Sequence, residues 1–427
     1  DASNSNGPTG VIPIPSKEQQ KADPIHESDP KQDKTPKKKK GWSKKKKTGI
    51  ALGIIFVVFI IIIAIIVGLF FHYTGMLDRT KDTKINSGRA PINSSELTSE
   101  ADTFDAKEKE DELKAQLQKQ SSKISSEDVT NILLIGEDIR DTEEESRGNT
   151  DVMMIISINT KNKTITMTSL MRDMYIYMAQ FDEGNRLNSA YWHGGCEYLE
   201  QCIEDYFGIQ IDRYARVNFY SFIDIVETVG GIDMEVSKAE AEGMKKPMAE
   251  QNKYLKNKKG TDYISDDIFA GKSDEDKVKL HLNGNQALAF ARLRYVGNSD
   301  YERTERQRRV ISEIITESKK LSLVQLDKLL NKVLPEINTD LTDGEIANLL
   351  LNAFDYMKYE QLRIPADGYF TNEVIYSMDV LNPDFAANSA FIQYIVYGSC
   401  KNIDEAIKQY QEENAYNYSY DTGYYGY

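Results

Sequence analysis

The chain has 427 residues and a formal net charge of −14 at pH 7, with 40% hydrophobic and 28% charged residues. This length allows one large domain with appendages, and the composition is that of a globular protein. The charge is uneven, because residues 1–48 hold 12 lysines and 6 acidic residues and so carry +6. The remaining chain carries −20, which argues against nucleic acid as a partner.

Residues 49–71 form an uncharged apolar run of 23 residues. As a helix this run is about 34 Å long, enough to cross the hydrocarbon core of a bilayer. Eight lysines, Lys37–Lys40 and Lys44–Lys47, precede it, so the positive-inside rule predicts a cytoplasmic N-terminus. We therefore expect a single-pass protein of the cell membrane whose domain after His72 is extracellular. A cleaved signal peptide is the alternative, but the run is too long and follows 48 other residues.

Composition divides the chain into five parts. In chain order these are a basic disordered cytoplasmic arm (1–48), a transmembrane helix (49–71), an extracellular polar linker (72–128), a compact domain (129–400) and a Tyr-rich low-complexity tail (401–427). Within the linker, residues 108–120 are predicted to form a short solvated helix.

The compact domain alternates strands with helices. Apolar runs and period-two patterns predict strands at 131–136, 151–159, 164–170, 214–219, 232–236 and 361–365. Helical periodicity predicts helices at 196–207, 220–229, 284–292, 299–319, 321–334 and 342–355. The Lys- and Asp-rich segment 242–279 is expected to be a mobile surface loop, and the alternative is a polar excursion that selects a ligand. The pattern predicts an α/β fold, an α-β-α sandwich around a central mixed β-sheet, in which ligands collect at the carboxyl ends of strands.

Three cysteines, Cys196, Cys202 and Cys400, lie in the expected extracellular part. The first two are six residues apart, which does not put them on one helix face. Whether they pair stays open, and burial as free thiols is the alternative. No CxxC or HExxH motif is present, so the sequence does not predict a zinc site.

The densest charge pattern is a block of arginines within eighteen residues: Arg292, Arg294, Arg303, Arg306, Arg308 and Arg309. Arg303, Arg306, Gln307 and Val310 have the spacing of one helix face. A guanidinium binds phosphate through two hydrogen bonds and keeps its charge, so the block indicates a polyanion site. The alternative is a solvated, salt-bridged helix, because glutamates are interleaved with the arginines.

Further charged residues lie at predicted strand ends. They are Asp138, Arg140, Arg147, Asp151, Arg172, Asp173 and Arg186. Asp138 and Asp151, from adjacent strands, are suited to hold Mg²⁺, which prefers one or two carboxylates plus substrate phosphates. Metal and guanidinium groups together are what phosphoryl transfer requires. The alternative for the two aspartates is a loop or capping role. No GxxxxGK[ST] loop or GxSxG motif is present, which argues against nucleotide triphosphatases and serine hydrolases.

The order of several segments resembles the LytR-CpsA-Psr (LCP) family of cell-wall proteins. The segments are NILLIGEDIR, GNTDVMMIISINTKNKTITMTSLMRD, RLNSAYWHGG, VNFYSFIDIVETVGGIDMEV, LNGNQALAFARLRY and SDYERTERQRRV. The resemblance runs from residue 131 to at least residue 310. The basic arm, single span and extracellular domain are also the family's usual layout.

The resemblance implies a membrane-anchored phosphotransferase. It would move a glycopolymer, such as teichoic acid or capsular polysaccharide, from an undecaprenyl-pyrophosphate carrier onto a peptidoglycan hydroxyl as a phosphodiester. By position, Asp138 and Asp151 match ligands of Mg²⁺, for which Mn²⁺ is an alternative. Arginines that match pyrophosphate contacts are Arg140, Arg172, Arg186, Arg292, Arg294, Arg303 and Arg306. Asp173 and Gln307 match supporting residues, and Arg147 departs from the family's R-x-D form, so no direct role is expected for it.

The donor's lipid tail is expected between the sheet and the helices, against residues 220–229 and the helices after Leu321. Two other functions remain open. A polyprenyl-pyrophosphate hydrolase would use the same groups with water as the nucleophile. A lipid-carrier receptor or envelope regulator would bind the lipid without any chemistry.

Overall fold

The structure is a computed structural model that describes residues 60–61, 63–90, 92, 97–119, 123–137, 147–148, 150–293, 296, 300–352 and 358–421. The chain divides into two compact units, residues 1–63 and 64–427. In the first unit the described residues 60, 61 and 63 are helical. The second unit opens with helical residues 64–74 and contains all the elements named below.

A six-stranded mixed sheet forms the centre of the second unit. Its strands are β1 (Val129–Glu137), β2 (Thr150–Asn159), β3 (Thr164–Leu170), β6 (Arg213–Asn218), β9 (Asn338–Thr339) and β10 (Lys358–Ile364). Their order is β10-β3-β2-β1-β6-β9. The β1–β6 and β10–β3 pairs are parallel, and the β1–β2, β2–β3 and β6–β9 pairs are antiparallel.

Shorter strands form three two-stranded pairs. They are β4 (Tyr175–Met178) with β5 (Glu183–Arg186), β7 (Ile232–Ser237) with β8 (Lys277–Leu282), and β11 (Phe370–Ile375) with β12 (Met378–Pro383). The helices are α1 (Ala106–Lys119), α2 (Asn188–Phe207), α3 (Phe219–Val229), α4 (Lys238–Tyr254), α5 (Gly284–Ala291), α6 (Asp300–Ser318), α7 (Leu323–Val333), α8 (Asp343–Asn352), α9 (Phe385–Val396) and α10 (Ile403–Asp421). Two short 3₁₀ turns lie at Asp266–Phe269 and Leu334–Glu336.

Helices cover both faces of the sheet. Successive side chains of a strand point to opposite faces, so the apolar residues on each face need a covering layer. Leu133 and Ile135 of β1 pack into the larger core with α2 and α9. Leu134 of β1 and Val217 of β6 face the other way, under α3, α5 and α6. A second core joins α3 to α6 with the β7–β8 pair. The predicted mixed central sheet with flanking helices is therefore confirmed.

Three segments are packed against the domain more closely than the sequence indicates. The expected loop 242–279 begins with α4, whose Met244 and Met248 are fully buried. The helix predicted at 108–120 within the linker is present as α1, but it is not simply solvated, because its Leu113 enters the larger core. The expected tail 401–427 contributes α10, where Ala406 is buried. In each case the helix exposes many charged residues and buries only a few apolar ones against the domain.

The three cysteines are buried free thiols. Among the described residues, no helix is both long and apolar enough to cross a membrane. Most of the predicted span, 49–59 and residue 62, lies outside the described residues. The transmembrane helix and the cytoplasmic arm therefore stay predictions.

Candidate functional site

An apolar cavity lies between the sheet and helices α3, α5 and α6, where the predicted lipid groove was expected. It encloses about 220 Å³. Its lining residues are Leu134, Gly136, Asp151, Val152, Val217, Asn218, Phe219, Phe222, Ile225, Leu288, Ala291, Arg292, Arg303, Gln307, Val310, Ile311, Ile314 and Ile315. Most of them are apolar, and the charged ones come from the ends of β2 and α5 and the first half of α6.

Helix α6 gives the cavity its two kinds of wall. Arg303 and Gln307 lie in its first half, and Val310, Ile311 and Ile314 follow on the same face at helical spacing. The cavity is therefore polar beside the start of α6 and apolar beside its end. This gradient suits an amphipathic ligand with a charged head and a long apolar tail.

Helix α3 supplies the facing apolar wall through Phe222 and Ile225. It begins after Asn218, whose side chain accepts a hydrogen bond from the backbone of Ser221, and it ends at Gly230 with φ of 93°. Phe222 and Ile225 lie inside the predicted helix 220–229. The helix α7, which follows Leu321, contributes no side chain to this lining among the described residues.

Asp151 lies at the polar end of the cavity and pairs with Arg172. Oδ1 of Asp151 accepts a hydrogen bond of 2.6 Å from Nη1 of Arg172, and both side chains are largely buried. Burial alone would favour the neutral acid, but Arg172, Arg303 and Arg292 outweigh it and lower the pKa of Asp151 to about 2. The carboxylate is therefore ionised at neutral pH, and three guanidinium groups are close enough to stabilise its charge.

Gly136 keeps the end of β1 close to β2. A Cβ placed there would lie 2.8 Å from Cβ of Val152, which is too close for two carbon atoms. Both residues line the cavity. Any side chain at position 136 would therefore push the two strands apart beside Asp151.

Arg292 and Gln307 stand at the same polar end. The Arg292 guanidinium lies 4.8 Å from the ring centre of Phe219 and within 3.4 Å of carboxylate and amide oxygens of Glu250 and Gln251. Gln307 directs its amide towards the carbonyl of Ala291, with 3.4 Å between nitrogen and oxygen. Arg303 is 4% exposed and also lines the cavity. Five predicted residues, Asp151, Arg172, Arg292, Arg303 and Gln307, therefore come together.

Arg306 does not line the cavity, although it lies next to Gln307. Its Nε donates to Glu240 on α4 at 2.9 Å, and Nη2 donates to Glu302 at 2.6 Å. The same guanidinium donates to the carbonyl oxygens of Leu293 and Val296. Arg306 thus joins α6 to α4 and to the chain leaving α5.

Arg186 and Asp173 form a buried pair beside Arg172. Nε of Arg186 lies 3.3 Å from Oδ1 of Asp173, and its Nη2 donates to the carbonyl oxygen of Asp379 at 2.6 Å. Nε of Arg172 lies 3.6 Å from the same Asp173 oxygen. Asp173 therefore holds two arginines and sets the position of Arg172.

Three predicted residues, Asp138, Arg140 and Arg294, lie outside the described residues. Within the described part of the chain, no group of three or more His, Cys, Asp or Glu side chains is arranged to hold a metal. Asp151 alone can be tested against the predicted Mg²⁺ role. Its oxygens are hard ligands and its pKa keeps them ionised, so this carboxylate fits that role.

Arg147 has a structural role that its spacing did not indicate. Its Nε donates to Asp82 at 2.7 Å, and Nη2 donates to the carbonyl of Lys84. The guanidinium lies against Gly195, where φ is 66° and a Cβ would come within 3.4 Å. Arg147 therefore fixes the segment before α1 onto the bend in α2.

A network that the sequence analysis missed lies on the other face of the sheet. Nη1 of Arg216 donates to Glu137 at 3.0 Å and to the hydroxyl of Tyr191 at 2.9 Å. Glu137, the last residue of β1, is 2% exposed. In the sequence, the signal for this network was the position of Glu137 at a strand end, because Arg216 and Tyr191 are distant from it in the chain.

Comparison with known families and proteins gives consistent results. The model described as the LytR_cpsA_psr family matches residues 93–388. A protein of Bacillus anthracis named polyisoprenyl-teichoic acid–peptidoglycan teichoic acid transferase TagU is 29% identical over 250 residues, which are 58% of this chain and 72% of that protein. A protein of the same name from Enterococcus faecalis is 25% identical over 337 residues, covering 78% of this chain and 91% of its own length.

Two solved structures resemble this chain over about two thirds of its length. The structure titled "TagT bound to LI-WTA" is 20% identical, with a TM-score of 0.48, over 65% of this chain and 96% of that one. The crystal structure of B. subtilis TagV is 22% identical, with a TM-score of 0.46, over 66% of this chain and 99% of that one.

Proposed function

The chain belongs to the LytR-CpsA-Psr family, and from this premise we propose that it transfers a glycopolymer from a polyprenyl-pyrophosphate carrier to peptidoglycan. The predicted enzyme class, a transferase, is confirmed by the family and by relatives that are named as transferases. One observation carries the proposal further. An ionised, buried carboxylate and several arginines lie at the polar end of an apolar cavity.

The donor lies with its lipid tail in the cavity and its pyrophosphate beside Asp151. Phe222, Ile311 and Ile314 surround the tail, where each buried CH₂ contributes about 0.8 kcal/mol. Arg303 and Arg172 are nearest to the charged end and bind the phosphate oxygens. A water-soluble nucleotide would leave the apolar half of the cavity unfilled, so the shape favours a lipid-linked substrate.

In the reaction, a hydroxyl oxygen of the acceptor attacks the phosphorus that carries the glycan. The bond from this phosphorus to the bridging oxygen breaks, and polyprenyl phosphate leaves with the electron pair. The hydroxyl proton passes to solvent. Arg303, Arg172 and Arg292 stabilise the negative charge that spreads over the phosphate oxygens, which is the main catalytic requirement of phosphoryl transfer.

A divalent cation, Mg²⁺ or Mn²⁺, would be held by Asp151 together with Asp138. When bound, it would neutralise charge on the pyrophosphate. Asp151 also orients Arg172 through their ion pair. Arg186 and Asp173 position Arg172, and Arg306 positions α6, so these three are positioning residues in our proposal.

The protein is anchored by residues 49–71, with its domain outside the cell. Apolar side chains in the second unit's first helix support this proposal. Ile66 and Phe71 expose 60% and 58% of their surface. Such exposure is unfavourable in water and is expected in contact with lipid. An anchor keeps the cavity close to a donor that is itself confined to the membrane.

The test is product analysis with the full chain in detergent, a polyprenyl-pyrophosphate-linked sugar, Mg²⁺ and peptidoglycan oligomers. We expect mass spectrometry to show an acceptor joined to the sugar by a phosphodiester, together with polyprenyl phosphate. Free sugar phosphate without an adduct would instead establish a hydrolase. Donor binding without any turnover would establish a lipid-carrier receptor.

A further inference from the structure

A second cavity lies on the opposite side of helix α6 from the apolar cavity described above, and we call it the outer cavity. We call the first, in which we propose that the lipid tail lies, the lipid cavity. It encloses about 420 Å³ between α6, β10 and α10. The residues that line it are Glu302, Glu305, Arg308, Gln361, Leu362, Arg363, Ala366, Asp367, Ile403, Asp404 and Ile407. Charged side chains of both signs dominate this lining, unlike the apolar lining of the lipid cavity.

Arg308 places a buried, charged side chain in the lining of the outer cavity. Its side chain is 9% exposed, and its Nε donates to the amide oxygen of Gln361 at 3.3 Å. Within the described residues, Nη1 of Arg308 is buried without a hydrogen-bond partner. Burial lowers the pKa of this guanidinium, Glu305 opposes that effect, and Arg363 adds to it. A buried cation with an unsatisfied donor calls for an acceptor from a ligand.

The outer cavity lies beside the reacting end of the lipid cavity and not beside its tail. Glu302, Glu305 and Arg308 belong to the same half of α6 as Arg303. On the sheet, Arg363 of β10 pairs with Ser169 of β3, three residues before Arg172. Strands β10 and β2 are separated only by β3, so about 10 Å separates them in the sheet.

The outer wall is formed by α10, through Ile403, Asp404 and Ile407. This helix follows residue 388, where the family match ends. The outer cavity is therefore completed by a part of this chain that the family model does not include. A substrate bound there would be recognised in part by residues outside the family model.

We propose that the outer cavity binds the peptidoglycan acceptor, by holding a peptide-bearing sugar next to the one whose hydroxyl attacks. This inference rests on the proposed transferase function and adds the acceptor's place to it. The acceptor's stem peptides carry both carboxylate and ammonium groups. Arg308 and Arg363 suit the carboxylates and carbonyls, while Glu305 and Asp404 suit the ammonium groups. The volume is within the range of pockets that hold small ligands.

The experiment measures transfer by the full chain in detergent, at saturating donor and varied concentration of a peptidoglycan tetrasaccharide with its stem peptides. Arg308→Gln removes a charged hydrogen bond, so we expect the acceptor KM to rise about tenfold to a hundredfold. The kcat and the donor KM should stay within about twofold. Arg213→Gln is the matched control, because Arg213 pairs with Glu345 near the opposite edge of the sheet and should leave all three constants unchanged.

A second variant guards against misfolding, since Arg308 is buried. Asp404→Trp places a bulky group at the exposed start of α10 and should also raise the acceptor KM several-fold. An unchanged acceptor KM in both variants would overturn the proposal. A raised donor KM with an unchanged acceptor KM would also overturn it and assign the cavity to the donor's glycan.

Direct binding separates this proposal from the proposed function. The same tetrasaccharide is titrated calorimetrically into the wild type and both variants without donor. Binding that Arg308→Gln and Asp404→Trp weaken supports the acceptor site even where the wild type forms no adduct. Equal binding to all three proteins would refute the site while leaving the transferase proposal to product analysis.

Discussion

Replacing Arg306 by methionine should destabilise the protein far more than it weakens donor binding. The Arg306 guanidinium is 2% exposed and has Glu240 as a buried partner. Removing one member of a buried ion pair costs about 3–5 kcal/mol, because the remaining charge stays uncompensated. In a unit of about 360 residues the melting temperature should therefore fall by roughly 4–7 °C. Arg309 offers a control, because its guanidinium is exposed and donates one hydrogen bond to the carbonyl of Glu235. Arg309→Met should lower the melting temperature by about 2 °C or less.

The assay is thermal unfolding of the full chain in detergent, followed by fluorescence, with donor titrations well below the transition. A double variant, Arg306→Met with Glu240→Gln, should recover at least half of the loss, because the buried charge is removed while the amide oxygen can still accept the hydrogen bond from the Ser237 backbone that caps α4. The donor Kd should change by less than about fivefold. An unchanged melting temperature with a donor Kd raised a hundredfold would refute the positioning role and return Arg306 to the phosphate site.

The remaining predictions concern the reacting end, the lipid wall and a buried acid. Arg303→Ala should lower kcat about 10²–10³-fold in the transfer assay, and a loss under threefold would exclude Arg303 from charge stabilisation. Ile314→Asp should raise the KM for a long-chain donor much more than for a short-chain one, and equal changes would show that the tail lies elsewhere. Burial, Asp340 and neighbouring glutamates raise the pKa of Glu200 to about 8, so its contribution to stability is full below about pH 4.5 and is lost as pH rises towards 8. Glu200→Gln should therefore be more stable than the wild type at pH 8, with the difference vanishing at pH 4.5 in denaturant titrations; a difference independent of pH would contradict this.

The central strands were predictable because burial leaves a local pattern. The predicted run 131–136 lies within β1. The predicted run 151–159 lies within β2, which begins one residue earlier. Helix 220–229 was found within a residue of α3, since Gly230 ends it by adopting a positive φ. Such signals depend only on neighbouring residues, so one sequence is enough to read them.

The roles of individual arginines depended on distant partners and could not be read in the same way. Helical spacing placed Arg303, Arg306 and Gln307 on one face, and two of them line the cavity. Arg306 is held by Glu240, which lies 66 residues earlier on another helix. Spacing within one helix does not show which neighbouring helix offers a carboxylate, so the ion pair of Arg306 could be found only from the structure.

Segments with mixed composition misled the sequence analysis for a related reason. Helix α4 carries many lysines and glutamates. Its large buried apolar side chains are those of Met244 and Met248. Helix α10 likewise buries Ala406 beneath a polar surface. A narrow apolar stripe is enough when a core already exists to receive it. The low-complexity composition therefore concealed the helix that closes the outer cavity.

The placement of the donor is the central claim, and photolabelling tests it most directly. A polyprenyl-pyrophosphate sugar with a photoreactive group at the far end of its lipid is irradiated with the full chain, and labelled peptides are sequenced by mass spectrometry. The account predicts labels on α3 and the second half of α6, at Phe222, Ile311 or Ile314, and competition by unlabelled donor. Labels confined to α2 and α9, on the other face of the sheet, would contradict it.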